Sequence, residues 1–158
     1  LDVDNTRSYG SASAGGGTMV INGDNLPNVS TAGRYRVIWD GRDVNDIKYL
    51  VSPATEMRVV GDGIQGVAEW NPGASPQMTY GGNGVWTISI NLVANKDIKF
   101  LAGNDWGAFD YEDNSGGSQA TGTARPIKWE GGSNFKTPTA AGLYTITLDE
   151  NKQTVTIN

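Results

Sequence analysis

The sequence predicts an all-β chain: one complete immunoglobulin-like β-sandwich preceded by the back half of a similar module. Three observations lead there. Turn formers punctuate the chain throughout, with 22 Gly and 6 Pro in 158 residues, and no segment keeps a helical period for long. The short runs between them alternate apolar and polar residues, the period of a strand with one buried face. The third is a repeat: STAGRYRVIWD (30–40) returns as TAAGLYTITLD (139–149), at an offset of 109. Gly33 then falls on Gly142, Tyr35 on Tyr144 and Asp40 on Asp149.

The repeat extends both ways from that strand. RSYGS (7–11) aligns with NDWGA (104–108) at an offset of 97, placing Tyr9 over Trp106 and giving the second copy twelve extra loop residues. NGDNLPN (22–28) aligns with GGSNFKT (131–137), and DIKYLV (46–51) with QTVTIN (153–158). Strands are expected near 18–22, 34–39 and 47–51 in the first copy. Residues 57–103 have no counterpart upstream and read as the front of a module. They hold a strand in EMRVVGDG, a hairpin QMTYGGNGVWTISINL around Gly-Gly-Asn-Gly, and a strand in DIKFLAGND. The division is therefore 1–53, a partial module, and 54–158, a whole one, with the chain expected to begin inside a domain.

Alternation assigns the inner face to Tyr35, Val37 and Trp39; Trp86, Ile88 and Ile90; Tyr144, Ile146 and Leu148; Val155 and Ile157. Half a sandwich leaves such a face open, and it is expected to be covered by further chain, the whole module or a neighbour.

Composition narrows the function. A net charge of −5 argues against nucleic acid, whose binding depends on Lys and Arg meeting phosphates. No apolar run is long enough to span a bilayer. With no Cys there are no disulfides or thiolate sites, and with no His there is no Ser-His-Asp triad. Glycosidases need only two carboxylates, and Asp105, Asp110, Glu112 and Asp113 lie close together. They sit, however, in a Gly- and Asn-rich stretch where acids serve as turn formers, with nothing evident to raise a pKa. DYEDNSGG could offer oxygens to calcium but lacks the EF-hand spacing. No cofactor or metal is implied.

The aromatic residues say more. Trp70, in GVAEWNPGASP, and Trp106 with Tyr111, in NDWGAFDYEDN, read as loop residues among Asn, Asp and Glu. Trp129, in PIKWEGG, fits a sugar contact and a plug at the end of the sandwich equally well. Indole faces stack on pyranose rings while amides and carboxylates meet the hydroxyls. Lys99 alternates with Ile98 and Phe100, so it should leave the core and could donate hydrogen bonds there.

In order, MRVVGDGIQGVAEWNPG, QMTYGGNGVWTISINL, DIKFLAGNDWGAFD and GGSNFKTPTAAGLYTITLD resemble a module of the SusE/SusF family, outer-membrane glycan-binding lipoproteins of Bacteroidetes. The resemblance covers 56–158, and its back half recurs in 1–52. It implies a non-catalytic carbohydrate-binding module at the extracellular face of the outer membrane. Such a module holds polysaccharide, with starch-like α-glucan favoured, beside a glycan-uptake complex. Carried onto this chain, the contacts are Trp70, Trp106 and Tyr111, with Asn104, Asp105 and Lys99 as polar partners and Trp129 as a further candidate. Two alternatives stay open. One is an accessory module of an extracellular glycoside hydrolase; the other is a structural spacer whose loop tryptophans are buried.

Overall fold

A computed structural model describes residues 9–11, 16–21, 31–117, 119–129 and 131–158. The regular structure among the described residues is almost entirely β-strand, and the chain divides into two compact units, Leu1–Thr55 and Glu56–Asn158, close to the expected boundary. The stretch 22–28, aligned in sequence with 131–137, lies outside the described residues.

The first unit contains β1 (Tyr9–Ser11), β2 (Gly16–Ile21), β3 (Tyr35–Asp40) and β4 (Lys48–Pro53), ordered β1-β2-β4-β3 in one antiparallel sheet. The second contains β5 (Arg58–Gly61), a 3₁₀ turn at Pro72–Ala74, β6 (Thr79–Gly82), β7 (Val85–Leu92), β8 (Asp97–Leu101) and β9 (Asp110–Asp113). It continues with β10 (Arg125–Trp129), β11 (Phe135–Lys136), β12 (Gly142–Asp149) and β13 (Thr154–Ile157). These form a curled, sandwich-like antiparallel sheet in the order β11-β8-β9-β10-β13-β12-β7-β6, with β5 added beside β8.

The repeat is real at the level of sheet order, since β1-β2-β4-β3 follows the same path as β9-β10-β13-β12. Pairing also corrects its register. Trp39 lies opposite Tyr49 as Leu148 lies opposite Val155, and Tyr49 pairs with Gly17 as Val155 pairs with Arg125. Following that ladder outward, Tyr9 opposite Ile21 takes the place of Tyr111 opposite Trp129. Tyr9 is thus the counterpart of Tyr111, not of Trp106, because strand pairing and not loop similarity fixes the correspondence.

The repeated residues have a shared local chemistry. The Tyr35 hydroxyl donates to the Thr31 carbonyl at 2.7 Å, and the Tyr144 hydroxyl to the Ala140 carbonyl at 2.9 Å, the same four-residue step back. In each copy a glycine stands two residues before the tyrosine, where an added Cβ would meet the ring only at ordinary contact distance. A Cβ on Gly33 or Gly142 would come within 3.9 or 3.6 Å of that tyrosine's Cε2. At the far end of each strand the aspartate accepts from the backbone N–H two residues on, at 3.1 Å from Arg42 to Asp40 and from Asn151 to Asp149. Gly-x-Tyr starts the strand and Asp turns it.

Burial follows the alternation in the second unit. Trp86, Ile146, Leu148, Val155 and Ile157 are buried, while Ile88, Ile90 and Tyr144 are half-buried. The first unit departs from the expectation: Val37 is 69% and Trp39 62% exposed. Their counterparts Ile146 and Leu148 are flanked by Ile88 and Trp86 of β7, whereas β3 ends its sheet among the described residues.

Three buried side chains of the second unit illustrate how its polar atoms are met. Trp86 Nε1 and the Tyr111 hydroxyl both donate to Glu150, each at 2.8 Å, one to each carboxylate oxygen. The fully buried Thr137 hydroxyl donates to the Val93 carbonyl at 2.6 Å and accepts from the Lys96 N–H at 2.8 Å, fastening the β7–β8 turn. Replacing Glu150 by Ala removes the acceptor of two buried donors. Chemical denaturation should show a loss of about 2–3 kcal/mol, with an unchanged far-UV spectrum in water.

Two aspartates couple this fold to pH. Burial raises the Asp62 carboxyl, but the Asp97 N–H and the Lys96 ammonium outweigh it and hold it below its ordinary 3.8. Burial likewise raises Asp149, and hydrogen bonds from the Lys152 N–H and side chain and the Asn151 N–H bring it below 3.8. Both bind protons less readily folded than unfolded, so their contribution is complete above about pH 4–5 and disappears as pH falls through the lowered values. Denaturation midpoints should fall below pH 4 and shift less in an Asp62→Asn, Asp149→Asn double variant.

Candidate functional site

The β8–β9 hairpin builds the candidate site. Ile98 and Phe100 are fully buried, so the intervening Lys99 leaves by the outer face, as alternation requires. On the adjacent strand Phe109 and Tyr111 point inward, while Asp110 and Glu112 share the outer face with Lys99. The Lys99 ammonium hydrogen-bonds to the Asp110 carboxylate and lies 3.3 Å from Glu112 Oε1. These three side chains are only 12–16% exposed. Burial would lower the lysine's pKa, yet the hydrogen bond and charge of Asp110, with the charge of Glu112, leave it raised. The other oxygen of Glu112 accepts from the N–H groups of Gly131, at 2.9 Å, and Gly132. That approach needs glycine, because a Cβ on Gly132 would sit 2.7 Å from Glu112 Cβ.

Loop 102–109 folds back over this triad. It is closed by bonds from Ala102 N to the Phe109 carbonyl at 2.8 Å and from Ala108 N to the Asp105 carbonyl at 3.1 Å. Asp105 Oδ1 also accepts from Gly107 N at 2.8 Å. Phe109 anchors the loop inside, edge-on to Tyr111 at 4.8 Å and 5.8 Å from Trp129. Trp106, at the tip, stays 54% exposed, with its ring centroid 5.4 Å from Lys99 Nζ. Asn104 and Asp105 are exposed beside it.

Trp70 is half-buried, with the left-handed φ of 51° in the loop before the 3₁₀ turn. Asn71 caps that turn, accepting from Ala74 N at 3.3 Å, and Arg58 Nη1 donates to the Ser75 carbonyl at 2.7 Å. The two loops meet where a Cβ on Gly73 would lie 3.8 Å from the Asn104 carbonyl oxygen. The structure thus gathers Lys99, Asn104, Asp105 and Trp106 on one hairpin and brings the loop of Trp70 against it.

Tyr111 and Trp129 do not belong to that surface. Tyr111 is fully buried and Trp129 is 7% exposed, opposite one another on β9 and β10. The acidic segment 110–113 reads as a loop in sequence but is a strand that puts Asp110 and Glu112 on the outer face; Phe109 and Tyr111, two apart, were the signal. The roles of Asp110 and Glu112 depend on Lys99 across the strand, a pairing no local pattern reveals. Asp113 accepts from the Ser115 N–H at 2.7 Å and the Gly117 N–H at 3.0 Å, the turn-forming role expected for these acids. Among the described residues no group of three or more acidic side chains is placed to hold a metal ion.

Comparison with protein-family models, with curated proteins and with solved structures finds no match. The site's geometry separates surface from core: Trp106→Ala should change stability by no more than about 0.5 kcal/mol. Tyr111→Ala and Trp129→Ala should each cost about 3–5 kcal/mol in the same denaturation series.

Proposed function

We infer that the second unit binds a neutral polysaccharide without cleaving it, using Trp106 as the stacking surface. The observation that carries this reading is an exposed indole at the tip of an anchored loop, ringed by Asn104 and Asp105, with a polar hairpin beneath. A spacer module would have had its loop tryptophans buried. One pyranose face covering about 100 Å² of indole contributes about 2.5 kcal/mol before ordering costs, so a second contact from the Trp70 loop is needed for useful affinity. The Lys99 ammonium is matched by Asp110 and Glu112, so it offers no net positive charge to attract uronates or sulfates.

The same pairing supports a non-catalytic role. Both carboxylates are committed to Lys99, and Glu112 also to two backbone N–H groups, so neither is free to protonate a glycosidic oxygen. The SusE/SusF resemblance favours starch-like α-glucan, a place at the outer face of the outer membrane, and a glycan-uptake complex as partner. Affinity electrophoresis in gels containing neutral or anionic polysaccharides tests the reading. Neutral glucans should retard the chain, and Trp106→Ala should weaken that binding by about 1–3 kcal/mol. Retardation by anionic glycans alone, or undiminished binding by the variant, would defeat it.

A further inference from the structure

We propose that Lys99 is a positioning residue: with Asp110 and Glu112 it forms a charged pedestal that holds the Trp106 indole in its binding orientation, and it does not itself contact the glycan. This inference rests on Trp106 being the stacking surface. Three facts carry it. The ammonium is already committed to two carboxylates and its side chain is largely covered, so little of it remains for a sugar hydroxyl. It lies within cation–π range of the indole, where a desolvated ammonium attracts the ring face. The loop around Trp106 is fixed by backbone bonds at its base and by Asp105 at its tip, but none of these bonds fixes the indole's own rotamer.

The pedestal also reaches beyond the hairpin. Glu112 ties Lys99 to the β10–β11 connection through Gly131 and Gly132, so the ring rests on three consecutive parts of the chain brought together. Such preorganisation improves affinity by removing the cost of ordering the ring on binding.

The test uses the full chain and reads the ring directly. The Trp106 indole N–H signal is assigned by its loss in Trp106→Phe, and its position and line width are followed by NMR, alongside affinity for soluble amylose. Lys99→Met leaves two carboxylates uncompensated and can unfold the module, so the decisive variant is Lys99→Met with Asp110→Asn and Glu112→Gln. In that neutral variant the indole signal should shift and broaden while other core signals hold, and affinity should fall roughly three- to tenfold. Lys99→Arg alone, which keeps the cation between its two carboxylates, should preserve both. An unmoved indole signal in the neutral variant overturns the proposal. So does a Lys99→Arg variant that loses affinity with the indole signal in place, since direct contact with the sugar then follows. If the wild type binds no glycan but the signal moves as expected, the pedestal stands and the glycan reading falls.

Discussion

One carboxylate holds the second unit's core to its chemistry. Trp86 and Tyr111 are among its largest fully buried side chains, and each carries a polar hydrogen that apolar surroundings would penalise by 1–3 kcal/mol if left unmet, to order of magnitude. Glu150 accepts both, so a residue in the β12–β13 turn determines how β7 and β9 face one another. It can do so because Asp149, the last residue of the repeated strand, shapes that turn through Asn151 and Lys152. In the first unit the residue after Asp40 is Gly41, which offers no such acceptor. The two copies share a strand start and a turn but not the clamp.

What the sequence made legible is what depends on neighbours along the chain. The tyrosine's bond four residues back and the aspartate's bond two residues on are local, so their motif survives in both copies and can be read at sight. Alternation likewise placed Trp86, Ile146 and Leu148 in the core, because the pleat has a period of two whatever lies across from it. Tyr111 reads as a loop residue for the opposite reason. Its flanking acids look like loop chemistry until Lys99 on the neighbouring strand is seen to take up that charge. Val37 and Trp39 show the same limit: their pattern is that of an inner face, but burial requires a β7, which is a matter of sheet edges and not of pattern.

The buried triad on the hairpin is weak evidence for stability, since desolvating three charges offsets much of their attraction. Its placement is more informative than its strength. Charged groups are covered on their own face of β8 and β9, directly beneath the one large aromatic ring of this unit left open by its loop. Apolar residues there would have packed as well but would have given the indole nothing to face. The arrangement makes a rigid polar bed out of residues that a sequence pattern assigns to solvent.

The distance between Phe109 and Trp106 has an evolutionary consequence. The loop's foundation is Phe109, seated against Tyr111 and Trp129, while its display surface begins three positions earlier. The side chains of Asn104 and Trp106 can therefore drift without core packing being felt, whereas Gly103 cannot, since a Cβ there would sit 2.6 Å from Ala108 Cβ. A lineage carrying this hairpin could remodel the loop's exposed tip by changing a handful of codons. The architecture separates inheritance of the scaffold from invention at its rim.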